Sequence, residues 1–163
     1  MSDPGEALKR LIEAVGRVGA SQAARLAREL SDEFYADSDM MVAAIAVGRP
    51  FNIIHYASSY KFDIFPLSSA PFQRSQFARR TVKEIALGGG ALVAVPVATA
   101  EDTLLMKLAW YRAGGEVSER QWNDVRGIAA VEQGRLDREY LRRWADDLKV
   151  ADLLAQALAR ADR

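Results

Sequence analysis

The chain has 163 residues, half of them hydrophobic, which is enough for one domain with a core of its own. Its 22 basic and 22 acidic side chains balance to a formal net charge of zero, which argues against a general polyanion binder. The sequence has no cysteine and one histidine, so a disulfide, a thiolate metal site and a histidine-rich metal site are excluded.

The start of the chain and its hydropathy bear on location. Residues 1–5 lack the basic and apolar regions of a signal peptide. No apolar run reaches the roughly 20 residues that a membrane-spanning helix needs. We therefore expect a cytoplasmic protein with no membrane partner, and a chain without cysteine agrees with that expectation.

The first fifty residues follow a helical pattern. Apolar residues recur at helical spacing within residues 6–18, 21–34 and 39–47. Ser21 begins the second of these segments and Ser38 precedes the third, and both are candidate N-caps. The sequence predicts three N-terminal helices.

The pattern changes to β in the middle of the chain. Residues 51–56 and 60–67 are rich in aromatic and β-branched side chains and predict a hairpin. Residues 81–87 and 91–97 flank Gly88-Gly89-Gly90 and predict a second hairpin. We expect these strands to form one central, mixed or antiparallel sheet of about four strands.

The remainder of the chain is helical. Thr99 and Ser118 are candidate N-caps, and Thr99 has Asp102 three residues later, as in a weak capping box. Two further amphipathic segments follow Gly134. The sequence therefore predicts an α+β fold, with an α/β core over residues 1–98 and a C-terminal helical subdomain over residues 99–163.

Charged residues alternate with apolar ones over residues 60–65. With a strand's period of two, Lys61 and Asp63 point to the same face of the sheet. A carboxylate beside an ammonium group is one part of a metal–phosphate site. This face is the first candidate for chemistry.

Three motifs together carry a family resemblance. They are Lys61-Phe62-Asp63, residues 95–102 followed by Lys107, and residues 118–125. In order and spacing the chain resembles the nucleotidyltransferase fold, in the branch of the abortive-infection nucleotidyltransferase toxins and their uncharacterised relatives. The similarity extends from about Ala23 to the C-terminus.

The resemblance implies an activity and roles for particular residues. The activity is the Mg²⁺-dependent transfer of a nucleoside monophosphate from a nucleoside triphosphate to a hydroxyl. Asp63 takes the position of a catalytic, metal-binding carboxylate, and Lys61 and Lys107 take nucleotide-binding positions. Arg120 and Asp124 take supporting positions, in which Asp124 orients Lys107 or Arg120.

The chain departs from the family at the opening motif, a Gly-Ser turn followed by a strand with Asp-x-Asp. The local candidate is Gly19-Ala20-Ser21 with Asp37-Ser38-Asp39, but the residues after Asp39 have helical character. Carboxylates at a helix start are stabilised by the helix dipole and by capping. We therefore expect the chain to lack the opening strand–helix–strand segment, and its active site to be degenerate or inactive.

Each lysine and carboxylate also has an ordinary explanation. Asp63 fits a solvated strand face on which it pairs with Lys61 or Lys83. The stem of Lys107 fits an apolar surface, with its ammonium group reaching water.

The two supporting residues and the histidine have ordinary explanations as well. Arg120 and Asp124 are four residues apart and predict a local ion pair on one helix. His55 predicts a packed or hydrogen-bonded strand residue.

A second function remains open. The basic residues near Phe72 and Phe77 predict either an RNA- or triphosphate-binding surface or a solvated basic face; they are Arg74, Arg79, Arg80 and Lys83. The alternative to an enzyme-like protein is a non-catalytic interaction module that binds nucleotide, RNA or protein. An unpaired sheet edge covered by a second copy would make it a homodimer.

Overall fold

The structure is a computed structural model that describes Leu11, residues 23–86 and residues 92–161, and of residues 160 and 161 only the backbone. Several sequence predictions lie outside these residues: the helix over residues 6–18, the cap at Ser21, the segment Gly19-Ala20-Ser21 and the glycine turn at residues 88–90.

The described residues form seven helices and five strands. In chain order they are α1 (Ala23–Leu30), β1 (Phe34–Tyr35), α2 (Ser38–Ala46), β2 (Phe51–His55), β3 (Lys61–Ile64), α3 (Pro71–Ala78), β4 (Thr81–Ala86), β5 (Leu92–Val97), α4 (Ala100–Ala113), α5 (Glu119–Val131), α6 (Arg138–Asp147) and α7 (Ala151–Ala161). The predicted α+β class is confirmed.

The chain divides into two compact units. The first contains the described residues up to Arg74 and those of β4 and β5 from Val82 to Val97. The second contains residues 75–81 and the helices after residue 98. The predicted assignment of a nucleotidyltransferase-like core to residues 1–98 and a helical subdomain to residues 99–163 stays a prediction.

The predicted single sheet is wrong for the residues described. They form a three-stranded sheet in the order β1-β2-β3 and a separate two-stranded sheet of β4 and β5, both antiparallel. The strand β1 was predicted as the end of a helix, because Phe34 continues the apolar spacing of α1. Its backbone instead pairs with β2, with Phe34 opposite His55 and Tyr35 opposite Ile54. The strands of both predicted hairpins are paired.

The three-stranded sheet has one buried face. In β2, Phe51, Ile53 and His55 point inward and alternate with less buried residues. His55 is 1% exposed, and its Nδ1 lies 2.7 Å from Ser58 Oγ, so the prediction of a packed, hydrogen-bonded histidine is confirmed.

Helices α1 and α2 supply the remainder of this core. Its buried residues are Leu11, Ala23, Leu26, Ala27, Leu30, Phe34, Met41, Phe51 and Ile53. The inner face of the sheet is thereby removed from water, and its outer face holds the charged residues of β3.

The second unit contains the helices α4 to α7. Thr99 Oγ1 accepts from Asp102 N–H at 3.2 Å and Ser118 Oγ accepts from Gln121 N–H at 3.4 Å, which confirms both predicted N-caps. Gly115 (φ 77°) and Gly134 (φ 80°) follow α4 and α5 in the left-handed conformation that glycine adopts without strain. The fully buried core of this unit includes Leu104, Leu105, Leu108, Val125 and Leu141.

Candidate functional site

The outer face of the three-stranded sheet contains Lys61 and Asp63, as their spacing predicted. In the strand register, Tyr35, Ile54 and Lys61 lie side by side across the three strands, and Asn52 lies beside Asp63 in the next row. Directly opposite residues of antiparallel strands share a face. We call these five residues the open sheet face.

Lys61 and Asp63 form an ion pair on this face. Lys61 Nζ lies 3.3 Å from Asp63 Oδ1, and the two side chains are 56% and 54% exposed. At such exposure the pair contributes little to stability, because water and salt screen the attraction. The partner of Asp63 is Lys61 and not Lys83, the other partner considered from sequence.

The acidic triplet Asp37-Ser38-Asp39 is the start of α2 and not a strand. Asp37 Oδ1 accepts a hydrogen bond from Met40 N–H at 2.8 Å, and Asp37 is the N-cap. The interpretation as a helix start is confirmed, with the cap one residue earlier than the predicted Ser38. Asp37 caps in place of Ser38 because its carboxylate reaches a free amide of the first turn.

Lys107 and Asp124 join two helices of the second unit. Lys107 Nζ on α4 donates to Asp124 Oδ2 on α5 at 2.8 Å. This hydrogen bond, followed by the charge of Lys107, lowers the pKa of Asp124, and the charge of Arg120 contributes in the same direction.

The predicted ion pair between Arg120 and Asp124 is not formed among the described residues, where Asp124 pairs with Lys107, the other partner considered from sequence. The five residues singled out from sequence thus fall into two groups. Lys61 and Asp63 lie together in the first unit, and Lys107 and Asp124 in the second, with Arg120 near Asp124. Their roles in nucleotide transfer stay predictions.

One buried acid was not predicted from the sequence as a site residue. Asp102 is fully buried, although its sequence context placed it at a helix start, as the last residue of the motif over residues 95–102. Its Oδ1 accepts from the Tyr140 hydroxyl at 2.6 Å and its Oδ2 from Thr99 Oγ1 at 2.9 Å. Ser75 Oγ lies 3.1 Å from the same Tyr140 hydroxyl. The one local signal was the capping pattern, which does not reveal a partner 38 residues away.

The guanidinium group of Arg79 completes this cluster. It lies 3.6 Å from the centre of the Tyr140 ring, and its nitrogens lie 3.3 Å from Glu101 Oε2 and 3.6 Å from Asp102 Oδ2. We call Ser75, Arg79, Thr99, Glu101, Asp102 and Tyr140 the Asp102 cluster.

The pKa values of two residues of the cluster are shifted. Burial and the hydrogen bond to Asp102 raise the pKa of Tyr140 to about 12. Burial acts to raise the pKa of Glu101, but hydrogen bonds, first that from Asp137 N–H, outweigh it and lower that pKa.

Two of the four basic residues proposed as a binding surface have partners within the second unit. Arg79 belongs to the Asp102 cluster. Arg80 packs its guanidinium group over the Phe77 ring at 3.5 Å and donates to Phe77 O. Arg74 and Lys83 are exposed in the first unit. Arg79 and Arg80 therefore have structural contacts that a freely solvated basic face would not have.

The side chains of the described residues do not fit the magnesium centre that the resemblance implies. Mg²⁺ takes several oxygen ligands in octahedral geometry. Asp63 offers one carboxylate, which Lys61 already contacts, and Asp102 already accepts two hydroxyl hydrogen bonds. Within the described ranges, no three histidine, aspartate or glutamate side chains form a group that could hold a metal ion.

Comparison with protein-family models, characterised proteins and solved structures found no match. Among the helices of the described ranges, none combines the length and hydropathy needed to cross a membrane.

Proposed function

We propose that this chain is a nucleotidyltransferase-like protein that does not catalyse nucleotide transfer by itself and that binds phosphate on its open sheet face. One observation carries the proposal: Lys61 and Asp63 occupy a solvated strand face as a single ammonium–carboxylate pair. The order of the three sequence motifs supports the family part of the proposal. The expected cytoplasmic location stays a prediction.

The absence of turnover follows from how the carboxylates are used. Asp37 caps α2, Asp102 accepts bonds from Thr99 and Tyr140, and Asp124 accepts from Lys107. Among the aspartates considered, all within the described residues, Asp63 is then the one left to hold a metal at the Lys-x-Asp motif. A single aspartate leaves a magnesium ion mostly hydrated and weakly held.

Phosphate binding is the function that Lys61 retains. Its ion pair with Asp63 is exposed, so exchanging that contact for an anionic phosphate oxygen costs little. We assign the same role to Lys107, with Asp124 orienting its ammonium group and Arg120 adding positive charge.

A transfer assay tests the catalytic part. The purified 163-residue chain is incubated with Mg²⁺ and each labelled nucleoside triphosphate, with total RNA and protein as acceptors. We expect no incorporation above the protein-free blank. Mg²⁺-dependent incorporation that disappears in Asp63→Ala would refute the proposal.

Titration calorimetry with ATP and Mg²⁺ tests the binding part. We expect millimolar or tighter binding that is lost in Lys61→Ala. Lys83→Ala is the matched control, because Lys83 is also an exposed strand lysine of the first unit but lies on β4. If the two variants bind ATP with equal affinity, Lys61 does not contribute to the binding site.

A non-catalytic module for an RNA or protein partner is the second candidate. Exposed aromatic side chains favour it: Tyr56 and Tyr60 are 57% and 60% exposed at the ends of the β2–β3 turn. A chain that binds no nucleotide but assembles stably would support the module and exclude the phosphate-binding face.

A further inference from the structure

The strand β3 is an edge strand of the three-stranded sheet. In the order β1-β2-β3 it pairs with β2 on one side, and within the described residues no strand pairs with its other side. An open edge exposes backbone donors and acceptors to which another strand can add.

The hydrogen-bond pattern shows which groups face outward. His55 N–H donates to Tyr60 O at 2.9 Å, so the pair of His55 and Tyr60 is hydrogen-bonded. Hydrogen-bonded and non-bonded pairs alternate along an antiparallel ladder. The next pair, Ile54 with Lys61, is therefore non-bonded, and so is the pair that contains Asp63, two residues further along β3. The backbone N–H and C=O of Lys61 and Asp63 therefore point away from β2, toward the open edge.

We propose that a second copy of this chain adds its own β3 to this edge, antiparallel, with the two-fold axis at Phe62. Lys61 then lies opposite the partner's Asp63, and Asp63 opposite the partner's Lys61. All four residues direct their backbone groups into the new ladder, so each of these pairs exchanges both of its N–H···O bonds. Each lysine also meets a carboxylate across the strands.

On the other face of β3, the same register places apolar and aromatic side chains opposite one another. Phe62 lies opposite the partner's Phe62 in a non-bonded pair, in which side chains approach closely. Tyr60, which is 60% exposed, lies opposite the partner's Ile64. Since Phe62 and Ile64 already pack against the core of the first unit, the pairing extends that apolar layer into the partner.

The charges select this register over its neighbours. A shift of two residues in one direction places Lys61 opposite the partner's Lys61, and a shift in the other places Asp63 opposite the partner's Asp63. Like charges directly opposite are destabilising. A shift of one residue would place the outward-facing backbone groups of one copy opposite backbone groups of the other copy that are already bonded to its β2. The new ladder would then not form.

Sedimentation velocity on charge-swap variants tests the proposal without nucleotide present. We expect the wild-type chain to form a dimer that weakens as salt is raised, because salt screens the cross-strand charges. Lys61→Asp places carboxylates opposite each other and Asp63→Lys places ammonium groups opposite each other. Each variant should dimerise about tenfold more weakly, or worse.

Two experiments that should restore the dimer make the test specific. An equal mixture of Lys61→Asp and Asp63→Lys chains should form a heterodimer, since every cross-strand pair is then of opposite charge. The double variant Lys61→Asp/Asp63→Lys should recover the homodimer. It removes the lysine assigned to phosphate, so loss of nucleotide binding and loss of the dimer are distinguishable.

The proposal is overturned by a wild-type chain that stays monomeric into the sub-millimolar range, by single variants that dimerise as the wild type does, or by a mixture that does not form the heterodimer. A monomer that retains RNA or another protein on this edge also overturns it, in favour of that occupant. Circular dichroism checks that the variants are folded, as expected for positions at which the side chains are 56% and 54% exposed.

Discussion

Replacing Tyr140 with phenylalanine isolates the contribution of one hydroxyl to the second unit. The ring remains and keeps its contact with the Arg79 guanidinium group at 3.6 Å and with Trp144, whose ring centre is 6.2 Å away. The lost group is the hydroxyl that donates to Asp102 at 2.6 Å and lies 3.1 Å from Ser75 Oγ.

The expected loss follows from the burial of the acceptor. Asp102 is fully buried, so water cannot replace the missing donor, and Thr99 remains as its one hydroxyl donor. A hydrogen bond to a charged group contributes about 1.5–3 kcal/mol. We expect Tyr140→Phe to lower the free energy of unfolding by about 2 kcal/mol, which in a chain of this length lowers Tm by about 4–8 °C.

Urea unfolding followed by tryptophan fluorescence measures this loss. All three tryptophans, Trp110, Trp122 and Trp144, lie in the second unit, so the signal reports on the unit that holds the cluster. Tyr111→Phe is the control, because the Tyr111 ring packs on Trp122 at 5.3 Å and its hydroxyl forms no hydrogen bond with the described residues. A loss below about 0.5 kcal/mol, the range of an ordinary surface substitution, would refute the role of the hydroxyl.

The same cluster predicts a dependence on alkaline pH. The folded-state pKa of Tyr140 is raised to about 12 from an ordinary 10.0. A raised pKa means that folding favours the protonated hydroxyl, so the contribution is complete below the unfolded pKa and is lost as pH rises through the folded one. The stability difference between wild type and Tyr140→Phe should therefore shrink between these two pKa values.

Two further predictions concern caps and ion pairs. Asp37→Ala removes the N-cap of α2 and should cost about 1 kcal/mol, seen as faster amide exchange at Met40, whereas Asp39→Ala should leave that amide unchanged; equal effects would contradict the cap assignment. Lys107→Ala should raise the pKa of Asp124 toward 3.8, measured by carboxyl NMR titration. Because the pKa of Asp124 is lowered in the folded state, the ion pair with Lys107 contributes fully to stability at pH values above the unfolded pKa, and this contribution is lost as pH falls through the folded-state pKa. An unchanged Asp124 pKa in the variant would contradict the pairing.

The local features of this protein were open to prediction from sequence. The caps at Thr99 and Ser118, the hairpin of β2 and β3 and the shared face of Lys61 and Asp63 depend on residues within a few positions of each other. Capping and the period-two alternation of a strand act over that short range. The same local order selected the Lys-x-Asp motif as the candidate site.

Only the tertiary structure decided the features that join distant segments. It paired Phe34 with His55, divided the strands into two sheets, joined Asp124 to Lys107 and buried Asp102 against Tyr140. In each case several partners satisfy the local pattern equally well, and the choice depends on which segments pack together. Packing selects among them because a buried polar group must find its hydrogen-bond partner and a strand must find its neighbour, wherever in the chain these lie.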